Sequence, residues 1–578
     1  MRELLGGAIF AFAGLILAAP ARAAESVDLA IPLPPDQLTA YSVIELQGPA
    51  GQEKPVPQLD RAFFFFGREL ERGRTLTIPV RTLESIPYAV VFRFPDKPQA
   101  EGVRWQSELA FEGVPDVHPF TLAVQAQIDG REALDERSVW KIAGKGGIPR
   151  ESAKPRNTKT ARFVREAALE WTAWFDPEKH AVVRFRFFFT IVTAPVRGDG
   201  AETTVTRNEQ CDWREQLVAG TPALRDRIGT AIQRGVDALK KAQQPDGSWK
   251  GIDAIWHEGN TALMLLALIR SGVYGHDPIV VKGFEWLKKQ PFRRVYSVAT
   301  LVLAIEARYT PLEEIRAAED YLDNPSAFQC RERRVPPEDK EWMEKAVVWL
   351  LGMAYNRRSW SYDEPKGRYD NSCTQYAVLA FDAAQRCGVK LDPKVWRAVA
   401  EHFLLVQNRR GADVLRKPHK SAEESGTQTA GIPAKARGWG YQDAASDATG
   451  GATYSSMTCA GLTALMLARA SLGKELERPF AARIDLAVND GMAWLETHFD
   501  PRFNSPRWDD WYFYSMYGIE RVGVLAGSKY LGDRDWYSEG AMVICNLQLA
   551  NGGWGRWEYD TAFALLFLKK GTVPTMTK

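Results

Sequence analysis

The chain has 578 residues, 45% hydrophobic and 25% charged, a composition that excludes wholesale disorder and a multi-span membrane protein and calls for two or more folded units. Its 74 Lys and Arg stand against 72 Asp and Glu, so the overall charge makes no case for nucleic acid or another highly anionic polymer as partner, and only a local patch could hold one.

The first residues read as an export address. Arg2 precedes the apolar run from Leu4 to Leu17, and Ala21-Arg22-Ala23 has the small-x-small form cut by signal peptidase, so residues 1–24 are expected to be removed. The run is short for a bilayer span, and no later stretch is long and apolar enough for one. The expected location is therefore periplasmic or extracellular, with no transmembrane helix after cleavage. Export would place Cys211, Cys330, Cys373, Cys387, Cys459 and Cys545 in an oxidising compartment. None shows CxxC spacing, their pairing is left open, and Cys373, Cys459 and Cys545 fall in apolar helical patterns that suit buried free thiols.

From Ser26 to about Thr206 the pattern is β. Ala89 to Phe94, Phe120 to Ala126 and Ala181 to Phe189 are β-branched or aromatic runs, partly alternating and separated by Pro, Gly and Asp turns. A β-sandwich-like domain over residues 25–205 is the expectation. Within it, the polar stretch from Lys141 to Thr160, which includes Gly144-Lys145-Gly146-Gly147-Ile148-Pro149-Arg150, reads as a long loop. Strand pattern gives way to helix pattern between Thr193 and Leu224, and residues 206–578 form the second expected domain.

That second part repeats. Arg234-Gly235-Val236-Asp237-Ala238-Leu239 is followed by Gln243 and by Asp246-Gly247-Ser248-Trp249; Glu539-Gly540-Ala541-Met542-Val543-Ile544 is followed, at the same spacings, by Gln548 and by Asn551-Gly552-Gly553-Trp554. Weaker copies begin at Lys282, Lys345, His402 and Asp490; Ala354 and Phe499 stand at the Gln position of two of them, and a polar insertion from Asn408 to Ala436 interrupts a third. Each unit is followed by a nearly all-apolar stretch of helical length, such as Thr261 to Leu268, Thr374 to Phe381, Thr458 to Leu465 and Thr561 to Leu568. An amphipathic helix, a Gly and Trp turn and an apolar helix make an outer and inner pair, because an inner helix is buried on several sides.

The spacing of Arg, Gly, an aliphatic residue, Gln, Gly and Trp resembles the QW motif of squalene-hopene and oxidosqualene cyclases, within the terpene cyclase and protein prenyltransferase superfamily. It covers Arg234 to about Leu568 and implies an (α/α)6 toroid of six helical hairpins behind the β domain, so that the fold class expected is multidomain, β plus all-α. The motif itself implies a structural role, with Gln at the helix end and Trp packed over the turn.

The chemistry of that superfamily is not carried over. The cyclase acid motif Asp-x-Asp-Asp is absent; Trp508-Asp509-Asp510-Trp511 comes nearest and reads first as a helix cap, second as an acid pair or a sugar-contacting cluster. The prenyltransferase zinc set has no match around Asp370-Asn371-Ser372-Cys373 or at Tyr559-Asp560-Thr561, so no metal or other cofactor is expected. By analogy with the family, the inner-helix starts face one mouth of a central cavity. The ligand-binding candidates there are His257, Glu258, Asn260, Tyr296, Asp370, Asn371, Tyr454, Asp510, Tyr514, Tyr559 and Asp560; Arg293, Arg294, Ser455 and Tyr512 share that end, and each could equally be a cap or rim residue. Two functions are compatible with this pattern: an exported toroid that binds a small molecule or protein at the cavity, or an enzyme on the same scaffold, terpenoid-processing or carbohydrate-active, with Asp509, Asp510 and Glu558 as the acid candidates.

Overall fold

The computed structural model describes residues 26–574 apart from 48–53, 56–60, 73–74, 77–82, 84–85, 112–113, 115, 149–159, 197–199, 252–255, 363–368, 417–430, 443–452, 474–475 and 506–510. The export signal and Asp509-Asp510 thus lie outside the described residues. The chain divides into two compact units, one built almost wholly from residues up to Glu215 and one from Gln216 onward.

The first unit is built on one large curled antiparallel sheet, with two small two-stranded pairs beside it and, among the described residues, no second large sheet packed on it as a sandwich would have. From one edge its strands are residues 54–55, Leu38–Gln47, Thr203–Leu217, Ala181–Pro195, Arg162–Asp176, Arg137–Ile148, Phe120–Leu134 and Arg104–Phe111. Alternation runs the length of the long strands: Phe185, Phe187, Phe189 and Ile191 are buried while Arg186 and Phe188 point outward, the signature of a sheet with one face in a core. Helix α1 (Ile86–Val91), buried throughout, lies on that apolar face against the strands Arg162–Asp176 and Ala181–Pro195. Beside it Phe92 meets Phe185 edge-on at 5.6 Å, and the Tyr41 hydroxyl donates to the Val182 carbonyl at 2.8 Å.

Two local expectations are corrected here. Ala89–Val91 are helical rather than extended: Pro87 sits in the first turn, where its fixed φ favours a helix, and a segment buried on every side has no period to reveal its type. Gly144–Ile148 belong to a strand rather than a loop. Gly144 pairs with Trp171, and a Cβ at Gly144 would stand 2.2 Å from the indole, so the glycine that reads as loop composition is there to admit the ring.

The second unit holds helices α2 (Pro222–Ala242), α3 (His257–Arg270), α4 (Pro278–Leu287), α5 (Val295–Arg308), α6 (Leu312–Glu319), α7 (Pro337–Gly352), α8 (Asn371–Arg386), α9 (Pro393–Val406), α10 (Ser455–Leu472), α11 (Arg478–His498), α12 (Tyr512–Ala526), α13 (Trp536–Asn546) and α14 (Glu558–Leu568). Helices α3, α5, α8, α10, α12 and α14 are buried almost end to end. They pack in a circuit: α3 on α5, α5 on α8, α8 on α10, α10 on α12, α12 on α14, and α14 back on α3.

The repeated residues make the joints. The indole N–H of Trp249, Trp360, Trp439 and Trp554 donates to the carbonyl of Leu239, Leu350, Phe403 and Ile544, in the last turn of the preceding helix, at 2.7–2.9 Å. The backbone N–H of the same four tryptophans donates to the hydroxyl of Thr261, Thr374, Thr458 and Thr561 at the start of the following buried helix. Each Trp so gives a donor to a carbonyl in the last turn of one helix, where carbonyls are left unpaired, and ties its own backbone to a side chain near the start of the next. The glutamine reaches one hairpin further: Gln243 donates to Ile279 in α4, Gln407 to Ala487 in α11, and Gln548 to Ala231 in α2. Gly247 and Gly552 turn the chain at φ +99° and +89°, a conformation L side chains rarely adopt.

At the C-terminal ends of α3, α5 and α8 lies a buried ion cluster. Glu306 accepts from Arg270, Arg333 and Arg386 at 2.5–3.0 Å, and Arg333 also reaches Glu314. Burial opposes ionisation of Glu306, but the three guanidinium groups outweigh it and hold the carboxyl far below its ordinary range. Elsewhere Glu520 of α12 accepts from the amide and hydroxyl of Thr572, fastening the end of the chain. Here burial wins, raising the Glu520 carboxyl to about 7 despite the opposing Thr572 hydrogen bonds.

Gln548→Ala should therefore cost roughly 1–3 kcal/mol, because it leaves buried carbonyls without a donor, and Trp554→Ala about 3–5 kcal/mol; urea unfolding checks both, and a neutral Gln548→Ala would refute the joint. A carboxyl whose folded pKa lies above its unfolded value stabilises at low pH and loses that contribution as pH rises. The melting temperature should accordingly fall between pH 4.5 and 7 by an amount that Glu520→Gln removes, measured by calorimetry.

Candidate functional site

The starts of the six buried helices converge on a cavity of about 600 Å³. Helix α3 contributes Gly259, Asn260 and Leu263, α5 Tyr296, α8 Ser372, α10 Ser456 and Met457, α12 Tyr514, and α14 Tyr559 and Phe563. The intervening turns add Gly251, Trp256, Tyr362, Tyr441, Tyr454, Asn504 and Trp511. No Asp, Glu, His, Lys or Arg is among these lining residues.

Its wall is a set of coupled rings. Tyr296 packs on Tyr376 at 4.3 Å, Tyr376 on Tyr514 at 6.4 Å, and Tyr514 edge-on to Phe563 at 5.5 Å, joining α5, α8, α12 and α14. Beneath them Arg521, fully buried, lies 4.3 Å from the Tyr517 ring and donates to Gln375, which donates to the Tyr514 hydroxyl. On the rim Trp511 stacks on Tyr559 at 5.6 Å, 58% exposed and in the left-handed region at φ 56°, and Arg294 sits 4.8 Å over Trp256. A non-glycine residue held in that region at a cavity rim is a strained feature that the stacking contact helps to hold.

One acid stands just behind the wall. Asp370, 1% exposed, caps α8 by accepting from the amides of Ser372 and Cys373 at 2.8 and 2.9 Å and from the Ser372 hydroxyl. Burial raises its pKa above the ordinary carboxylate value, against the pull of those donors. The hydroxyls of Tyr362 and Tyr441 meet at 2.5 Å, and both titrate higher first because they are buried and next because they face the Asp370 charge. Asn371 is occupied structurally, donating to Gly440 and bonded at 2.9 Å to His402, whose ring burial keeps neutral.

Of the residues singled out from the sequence, Asn260, Tyr296, Tyr454, Tyr514 and Tyr559 line the cavity and Asp370 and Asn371 back it. The other described candidates are not among the lining residues. His257 packs its ring on Trp286 at 4.9 Å. Glu258 and Arg293 face a small niche beside Phe292. Asp560 caps α14, accepting from the amides of Arg556 and Trp557, and burial lifts it to about 6. Glu558 is half-buried off the lining, and Asp509 and Asp510 are outside the described residues. Among the described residues no group of three His, Cys, Asp or Glu side chains is placed to hold a metal. Sequence reading missed Trp256, Tyr362 and Tyr441; a signal existed, since Gly251, Tyr362 and Tyr441 each lie two residues after a motif Trp and line the cavity together.

No protein-family model matches the chain, and no curated protein does. Among solved structures, a family 76 glycoside hydrolase from a bovine Bacteroides thetaiotaomicron strain aligns at 10% identity over 78% of this chain and 95% of its own, with a TM-score of 0.36. Lipovitellin aligns at 10% identity over 86% of this chain and 57% of its own, with a TM-score of 0.17. Neither degree of likeness assigns a fold or an activity. No described helix is long and apolar enough to cross a membrane.

The capping geometry of Asp370 makes a separable prediction. Asp370→Ala removes the acceptor and should cost about 1–2 kcal/mol in urea unfolding, whereas Asp370→Asn keeps an acceptor oxygen and should cost less; equal losses would deny the cap.

Proposed function

We propose that the C-terminal unit is an α/α toroid of six hairpins and that the protein, exported after loss of residues 1–24, binds a neutral, polyhydroxylated ligand such as an oligosaccharide in the cavity. The observation that carries this reading is the lining: aromatic rings on several sides, amides and hydroxyls from Asn260, Asn504, Ser372 and Ser456 between them, and, among the described residues, no charged side chain. Rings supply faces for apolar sugar C–H surface, and the amides and hydroxyls supply directional partners for hydroxyl groups. A prenyl diphosphate would require cations at the wall. Each of those polar side chains already holds an intramolecular hydrogen bond, Asn260 to Lys250, Ser372 to Asp370 and Asn504 to Ser456, and a terpenoid hydrocarbon would leave their remaining hydrogen-bonding capacity unused.

An enzymatic reading rests on one observation, the Asp370 carboxyl raised by burial behind two tyrosine hydroxyls, an arrangement suited to a general acid. It ranks second because no described carboxylate lines the cavity opposite it, whereas glycoside chemistry uses a facing pair.

Titration calorimetry with a panel of neutral oligosaccharides, squalene and farnesyl diphosphate tests the first reading. A neutral sugar should bind, and Trp256→Ala should weaken it about tenfold; retention of squalene or farnesyl diphosphate instead would overturn it. Release of new reducing ends from a bound sugar, lost in Asp370→Asn, would promote the enzymatic reading.

A further inference from the structure

We infer that the polar face of the N-terminal sheet carries a second binding site, separate from the helical cavity, for an anionic glycan bearing carboxylates at intervals along its chain. A groove of about 630 Å³ lies on this sheet, lined by two neighbouring cross-strand rows and by the row between them. The first row is fixed by register: Gln106 pairs with Gln125, Gln125 with Lys145, Lys145 with Glu170, Glu170 with Phe188, and Phe188 with Asn208. In the second row Arg104 pairs with Gln127 and Arg186 with Gln210. The row between, which includes Gly144, Trp171 and Phe187, turns its side chains to the other face, so the groove lies on the polar face.

The charges are arranged rather than scattered. Arg104, Lys145 and Arg186 stand on the first, third and fifth strands of this run, two strand spacings or about 10 Å apart across the sheet. All three are exposed. The Nε of Arg104 is spent on Gln127 at 2.9 Å and that of Arg186 on Gln210 at 2.5 Å, which orients each guanidinium and leaves its terminal nitrogens for a carboxylate. Against these three cations the groove sets one acid, Glu170. Between them Phe188, 48% exposed, offers a ring face beside the amides of Gln106, Gln125 and Asn208.

This combination favours a glycan over an acidic peptide. On the face of a sheet the backbone N–H and C=O groups are committed to the ladder, so a peptide laid there would leave its own backbone unpaired, and peptides join sheets at an edge instead. A glycan needs only side-chain partners: an aromatic platform, planar amides for hydroxyls and cations for carboxylates. Cations on every second strand, about 10 Å apart, suit a chain with a carboxylate on every second sugar.

Short hyaluronan oligosaccharides, which alternate a uronate with a neutral sugar, are the probe, with neutral chitin oligosaccharides and poly-glutamate as comparators, titrated into the full chain. Hyaluronan should bind in preference to both, more weakly as salt rises. The triple variant Arg104→Gln, Lys145→Gln, Arg186→Gln should lose about tenfold or more in affinity, Glu170→Gln should gain, and circular dichroism confirms that each is folded. Trp256→Ala, in the helical cavity, should change nothing here, so this site and the neutral-ligand reading stand or fall separately. With the helical cavity weakened by Trp256→Ala, binding of the neutral oligosaccharide equal to that of hyaluronan and reduced by the triple substitution would overturn the assignment, as would tighter binding of poly-glutamate, indifference of hyaluronan binding to the triple substitution, or no hyaluronan binding.

Discussion

The helical unit depends on the double hydrogen bond of a tryptophan. Its indole N–H closes the last turn of one helix and its backbone N–H closes the first turn of the next, so one residue fixes the angle of a hairpin from both sides. All four such indoles are essentially inaccessible to solvent, and an unpaired N–H in that setting would cost as much as the bond contributes. The geometry of the turn therefore has little freedom, and four near-identical turns place the starts of their buried helices on a common side. The cavity is the empty space those starts surround.

What was legible in the sequence follows from this. Trp is rare enough, and Gly, Gln and Trp are spaced rigidly enough, for Gly235 to Trp249 and Gly540 to Trp554 to announce the same joint across most of the unit. The joint marks the starts of α3, α10 and α14, and with them Asn260, Tyr454 and Tyr559, while Tyr296 and Tyr514 are legible from the apolar stretches of α5 and α12 that they precede or open. Tyr362 and Tyr441 were not, because loop residues show no period; only their offset from the motif Trp betrays them. His257, Glu258 and Asp560 share the same helix ends yet are turned to packing, a niche and a cap, since one helix start points residues in several directions.

In the sheet the reading erred where composition and environment part. A glycine-rich run reads as a loop because glycine weakens strands on average, yet Gly144 is required by the indole of Trp171. Alternation located the strands, but it says nothing about whether a second layer covers the polar side. Here that side carries Arg104, Lys145 and Arg186, and a face so furnished is poorly suited to bury against another sheet.

The link from Gln548 to the Ala231 carbonyl spans 317 positions along the chain. While the chain is being made, α2 has its neighbour on one flank only, and the partner for its other flank emerges 317 positions later. Closing so long a loop adds an entropic cost that local hairpin formation does not meet. Hairpins can form one by one, four of them held by their own tryptophan, but the joint to α2 waits until Gln548 has emerged. A ribosome halted near Thr497 would leave two raw ends exposed, each offering apolar surface to chaperones or to a neighbouring incomplete chain.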